Sequence, residues 1–189
     1  MADQLYLSYT LRNYSEENML RHYDKLLRLF PFSRLARNPS TFKVIPVDIT
    51  EPAVLEVPMP APIAIDQVLA AAKDFQNADS CYRLETWWDL WQFDAEWKLT
   101  PSRAALVCFG PEFAREDGSH LEIEFGIDAH FLPQPDIPGS LVTIQSNIKS
   151  LLKLVHDLDD ALPVETRRLW SESGENFSEK LQQALQAAG

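Results

Sequence analysis

Three groups of side chains in this sequence have types and spacings that can do chemistry. The first is the run Tyr82 to Leu99, which holds four of the five tryptophans: Trp87, Trp88, Trp91 and Trp97. A strand shows alternate residues to opposite faces. Tyr82, Leu84, Thr86 and Trp88 then share one face, and Arg83, Glu85, Trp87 and Asp89 share the other. Aromatic rings beside acids suit a carbohydrate platform or a protein hot spot. Near Asp89-Leu90 the alternation slips by one, and a β-bulge there would restore one continuous apolar face. Without that bulge, Trp91 stays on the face of Trp87.

The second group is His120, Glu122 and Glu124, with Asp128 and His130 in the same parity. Neighbours of this kind lie roughly 6.5–7 Å apart along a strand. Two can share a Zn²⁺ or Mn²⁺ ion, and a third ligand must come from another strand. Paired carboxylates also serve as acid and base, but one strand does not set the gap between two catalytic groups. A solvated sheet face is the simpler reading. The third group is His156, Asp157, Asp159 and Asp160 at the end of a helical pattern, where acids oppose the helix dipole. A salt bridge to Arg167 or Arg168 accounts for them most simply. Phosphate-binding glycine loops, His-Glu-x-x-His and Gly-x-Ser-x-Gly are all absent from the sequence, which has six glycines in all.

The elements that must position these groups follow from periodicity. Leu5 to Thr10 reads as a strand. Ser15 looks like an N-cap, with Glu16 and Glu17 in the first turn of a helix that Pro31 ends. Arg21, Lys25 and Arg28 form a basic stripe on it, and Glu17 and Asp24 sit four residues ahead of Arg21 and Arg28 as solvated partners. Thr41 to Asp48 and the stretch Ala53 to Val57 suit strands, the latter an edge because of its prolines. Ile65 to Phe75 is a helix. Ala104 to Phe109 and His120 to Ile127 are strands, the second with Leu121, Ile123, Phe125 and Ile127 inward. Ser140 starts a long helix whose inner face is Ile144, Ile148, Leu151, Leu152, Val155 and Leu158. Pro163 ends it or starts a short turn through Trp170, and a last helix runs from about Glu175 to Ala187. The expected fold is α+β: an antiparallel sheet of about five to six strands with helices mainly on one face. It forms one domain over 1–189, with 172–189 a helical appendage.

Composition narrows the function. The net charge of −11 is uneven: residues 1–45 carry +3 and residues 46–189 carry −14. Such a chain repels phosphate backbones, which argues against nucleic acid as ligand. It attracts basic partners. Cys81 and Cys108 match no metal or redox spacing and read as free, buried thiols. No signal segment or membrane span is apparent, and a cytoplasmic place is expected.

The leading expectation is a non-catalytic interaction protein, toxin-neutralising or adaptor-like. Its acidic sheet face, with Glu85, Trp87, Asp89, Trp91, Glu122 and Glu124, would meet a basic protein partner. One alternative is a small-molecule or carbohydrate-binding domain using Trp87 and Trp91. Another is a metal-dependent hydrolase using His120, Glu122 and Glu124. Neither a cofactor nor a metal is expected, and a homodimer through Trp87 is the cheapest way to cover that ring. A flat open face favours a protein partner, and a cleft favours a ligand.

Overall fold

The computed structural model describes residues 2–174 and 176–188. Its strands are β1 (Gln4–Leu11), β2 (Ser40–Pro46), β3 (Leu55–Met59), β4 (Ser80–Asp94), β5 (Glu96–Phe109), β6 (Leu121–Ile127) and β7 (Val164–Ser171). The helices are α1 (Met19–Leu29), α2 (Ile65–Asp74), α3 (Ser140–Ala161) and α4 (Phe177–Ala188), with a 3-10 turn at Asp128–Phe131. One sheet runs β3-β2-β4-β5-β6-β1-β7, and every neighbouring pair is antiparallel. The α+β class therefore stands, but with seven strands rather than five to six.

The extra strand is β7. Its burial pattern shows four exposed residues in succession, Glu165 to Arg168, so no alternation marked it. It closes the sheet beside β1, with Tyr6 opposite Trp170 and Leu7 opposite Leu169. Beyond it, α4 buries Phe177 in the main core. Lys180 ties α4 to the body through Asp128, 2.5 Å away, and Asp3, 3.3 Å away.

Strand alternation builds the core. Leu5, Leu7 and Tyr9 of β1, Tyr82, Leu84 and Trp88 of β4, Leu106 of β5 and Leu121, Ile123 and Phe125 of β6 face the helices. Met19, Tyr23, Leu26 and Leu27 of α1 and Leu151, Leu154, Val155 and Leu158 of α3 complete the layer. Leu152, expected to face inward, is 52% exposed instead. Trp88 lies at the centre of an aromatic cluster with Phe30, Phe125 and Phe131, at ring separations of 5.2–5.8 Å. These rings bury much area and sit in the tilted geometries that aromatic quadrupoles prefer.

Helix starts differ from the sequence reading. The Ser15 cap is not formed: α1 begins at Met19 with Asn18 before it and no acid in its first turn. Ser15 and Asn18 instead make a local turn in which the Ser15 N–H donates to Asn18 Oδ1 at 2.9 Å. Of the two expected helix pairs, Asp24–Arg28 forms at 2.6 Å. Ser140 does begin α3, but its hydroxyl accepts from the Gln134 N–H, 2.8 Å away.

The bulge is also elsewhere. β4 and β5 stay in one unbroken register from Cys81–Phe109 to Asp94–Glu96, so nothing slips at Asp89-Leu90. The chain reverses at Ala95, which takes φ 62°. Where β4 outruns β2, other groups satisfy its edge. Ser33 N–H donates to Trp87 O at 2.8 Å. Asn147 of α3 accepts from Trp91 N–H at 2.8 Å and donates to Trp91 O at 2.9 Å. A side-chain amide thus replaces one residue of a neighbouring strand, which buried backbone groups require. The sheet is irregular in two other places: in β6, where the register shifts between Gln4 and Tyr6 on β1 and Gly126 takes φ 80°, and at the start of β7, where it shifts between Thr10 and Leu11.

Candidate functional site

The helix-free face of the sheet is half covered. The loop after β5 brings Phe113 down onto Ile45, Cys81, Ala105, Val107 and Phe109, with Ala53 alongside. Arg115 from the same loop lies over the Phe109 ring, 3.6 Å from its centroid. Both cysteines are free and buried, and burial pushes the Cys108 thiol up to about 12.

The uncovered half is concave. One cross-strand row runs Thr41, Glu85, Ala105, Glu124, Tyr6, Trp170. The next holds Trp87 opposite Arg103. Ala105 and Gly126 are small where their neighbours are large, and the β6 bulge bends the strand there. The result is a cavity of about 470 Å³ lined by Tyr6, Arg83, Glu85, Trp87, Arg103 and Glu124, with Glu172 at its margin. A side chain at Gly126 would carry both the strain of its φ and a Cβ 3.4 Å from Arg103 O.

Three of the charges lining the cavity, Arg83, Glu85 and Glu124, are paired. Arg83 bridges Glu124 and Glu85, the latter at 3.4 Å. Lys43 holds Glu85 at 2.7 Å. Burial opposes charge on Arg83, but Glu124 and Glu85 outweigh it and raise the guanidinium above its ordinary value. Burial likewise opposes ionisation of Glu85, and Lys43 and Arg83 overcome it, so this carboxyl is lowered. Tyr6 stacks on Trp170 at 4.5 Å. Burial, then Glu124 and Glu172, push its hydroxyl up to about 12. Arg103 lies over Trp87, 5.1 Å from the ring centroid, a cation–π contact.

The six site residues expected from sequence separate into distinct roles. Glu85, Trp87 and Glu124 meet in the cavity. Glu122 lies beside it but is buried, held by Arg115 at 3.0 Å and by the Ser8 hydroxyl at 2.9 Å. Burial raises its carboxyl despite Arg115. Asp89 anchors the loop after α1, accepting from Ser33 Oγ at 2.5 Å and Arg34 N–H at 2.9 Å. Trp91 keeps the parity of Trp87 but sits beyond the cavity, beside Asn147. The face is not uniformly acidic, since Lys43, Arg83, Arg103 and Arg115 stand among its carboxylates.

The metal pattern does not converge. His120 turns its Nδ1 to accept from Leu11 N–H at 2.9 Å and stacks on Tyr14 at 4.0 Å. Glu122 and Glu124 are engaged with different arginines. No group of three or more His, Cys, Asp or Glu side chains is poised for a metal among the described residues. At the end of α3, Asp159 pairs with Arg167 at 3.4 Å, as expected, and also accepts from Tyr9 OH at 3.0 Å. No helix among the described residues is long and apolar enough to cross a membrane.

Sequence reasoning missed Tyr6, Arg83 and Arg103. Arg83 carried a signal, since it alternates with Glu85 and Trp87. Tyr6 and Arg103 carried none, because only sheet register brings β1 and β5 to that row. The chain matches no family model, no curated protein and no solved structure.

Proposed function

We propose that this protein is a non-catalytic binding module that takes a small polar ligand in the cavity between Trp87 and Tyr6. The concavity carries this reading. Its volume of about 470 Å³ falls within the range of small-molecule sites. Trp87 and Tyr6 offer apolar ring faces, while Arg83, Arg103, Glu85 and Glu124 offer donors and acceptors. The pairing of Arg83, Glu85 and Glu124 with one another supports a binding rather than a catalytic role. The buried acid beside the cavity, Glu122, is locked by Arg115 and Ser8, and His120 spends its free nitrogen on Leu11. The thiols of Cys81 and Cys108 suit a reducing compartment such as the cytoplasm.

NMR titration with neutral sugars, amino acids and dipeptides tests the proposal. Shifts should concentrate at Trp87, Tyr6 and Arg103 and vanish in folded Trp87→Ala. Shifts located elsewhere, or none with any of these probes, overturn it.

A second reading keeps the basic protein partner but moves its contact to one end of the sheet. There Asp48, Glu51, Asp79 and Glu112 make no ion pair among the described residues. Backbone bonds link their loops: Val47 N–H to Asp79 O at 2.8 Å and Ala114 N–H to Val47 O at 3.0 Å. Val47, Ile49 and Val54 are exposed beside them. Salt-sensitive capture of a basic protein, lost on Asp48→Asn with Glu112→Gln, supports this reading. Capture lost on Trp87→Ala instead would return the contact to the sheet face.

A further inference from the structure

Resting on the ligand-binding reading, we infer that the cavity takes a zwitterion of amino-acid or short-peptide type, its ammonium toward Glu172 and Glu124 and its carboxylate toward Arg103. The argument begins with the charges left over. Arg83, Glu85 and Glu124 satisfy one another, with Lys43 behind them. Arg103 and Glu172 form no ion pair among the described residues, although both line the cavity. They are of opposite sign and stand at opposite sides.

The sheet sets their separation. Arg103 is on β5, and Glu172 continues β7, its N–H bonded to Gln4 O of β1 at 2.9 Å. β5 and β7 are separated by β6 and β1. Three strand spacings place the two backbones roughly 14 Å apart. Arg103 leans over Trp87 on β4, away from β7, so the span left between the two charges suits a short zwitterion such as a dipeptide. The acid side is electrostatically distinct, since Glu124, Glu172 and Glu122 all act on the Tyr6 hydroxyl. The basic side is marked by Arg103 against the Trp87 face.

Other ligand classes fit worse. A polyanion meets Glu124 and Glu172, and a polycation meets Arg103. A neutral polar ligand can hydrogen-bond these groups but brings no charge to offset theirs. A zwitterion answers both charges with charge-assisted hydrogen bonds. The Trp87 ring and the small Ala105–Gly126 floor leave room for a flat or apolar side chain beside them.

Calorimetry and NMR titration with the dipeptide Gly-Phe, its N-acetyl form and its C-terminal amide test this. The free dipeptide should bind, and each blocked form should bind about tenfold more weakly or worse, the scale of a lost hydrogen bond to a charged group. Arg103→Gln should erase the difference between acid and amide. Glu172→Gln should erase the difference between free and acetylated amine. Equal binding of blocked and free forms overturns the inference. Trp87-dependent binding of neutral sugars without dipeptide binding overturns it too, while leaving the ligand-binding reading intact. Absence of all Trp87-dependent binding removes both.

Discussion

Trp87 and Trp88 are chain neighbours on one strand, yet they belong to different regions of the molecule. Trp88 is 1% exposed, packed by Phe30, Phe125 and Phe131 on the helix side. Trp87 is half-buried on the helix-free side, beside an exposed arginine and a cavity. The helix side is filled by apolar side chains from six strands and the helices over them. The helix-free side is partly filled by Phe113 and otherwise built from ion pairs around small residues. One face of the sheet therefore holds the fold together, and the other is free to hold something else.

The largest expected effect separates the two tryptophans. Trp88→Ala should cost about 3–5 kcal/mol in a denaturant melt, the usual penalty for coring out a large aromatic. Trp87→Ala should cost under about 1.5 kcal/mol, because that ring is only partly buried and packs against no helix. Equal losses would break the contrast between the faces. A similar pair lies on α3. Leu151→Ala should cost about 2–5 kcal/mol. Its exposed neighbour Leu152→Ala should stay within about 0.5 kcal/mol. If Leu152 proves as costly as Leu151, α3 is covered on a side that this contrast leaves open.

Asn147→Ala comes next. It removes the partners of Trp91 N–H, Trp91 O and His130 O together. A loss of about 1–3 kcal/mol is expected, the cost of leaving buried backbone groups unpaired. Hydrogen exchange at the Trp91 amide should quicken at the same time. Unchanged exchange there would mean that the edge of β4 has another cap.

The smallest effect is the dependence on pH. Burial lowers the imidazole pKa of His22, His120 and His130 from the ordinary 6.5. The unfolded chain then binds more protons than the folded one below that value. The stability these groups contribute is complete above pH 6.5 and is lost as pH falls through their folded values. Protonation of His120 Nδ1 also displaces the Leu11 N–H it accepts. Midpoints of unfolding should decline on acidification below neutrality, and less steeply in His120→Asn. A midpoint that rises from pH 7 to pH 5.5 would reverse the sign and show that raised carboxyls such as Glu122 dominate instead.

Alternation in the residue order was enough to place β6 and the first half of β4, to orient Trp88 inward and Trp87 outward, and to find α3 with Leu151 and Val155 against the sheet; it missed the reversal at Ala95 that puts Trp97 and Leu99 in β5. These features depend on the period of one segment, and burial of one face enforces that period. Free thiols at Cys81 and Cys108 were legible for the same local reason. β7 was not legible, because an edge strand with water on most of its positions needs no apolar alternation. The bulge at Gly126 had a signal, a glycine inside a clean alternating run, but the slip at Asp89-Leu90 looked stronger. Asn147 in fact supports that part of β4, from 56 residues away. The cavity depended on register across five strands. Which of Tyr6, Arg83, Arg103 and Glu124 face one another is set by pairings between residues far apart in the chain. The segments carry those side chains, and packing of the helices and loops against the sheet brings them together.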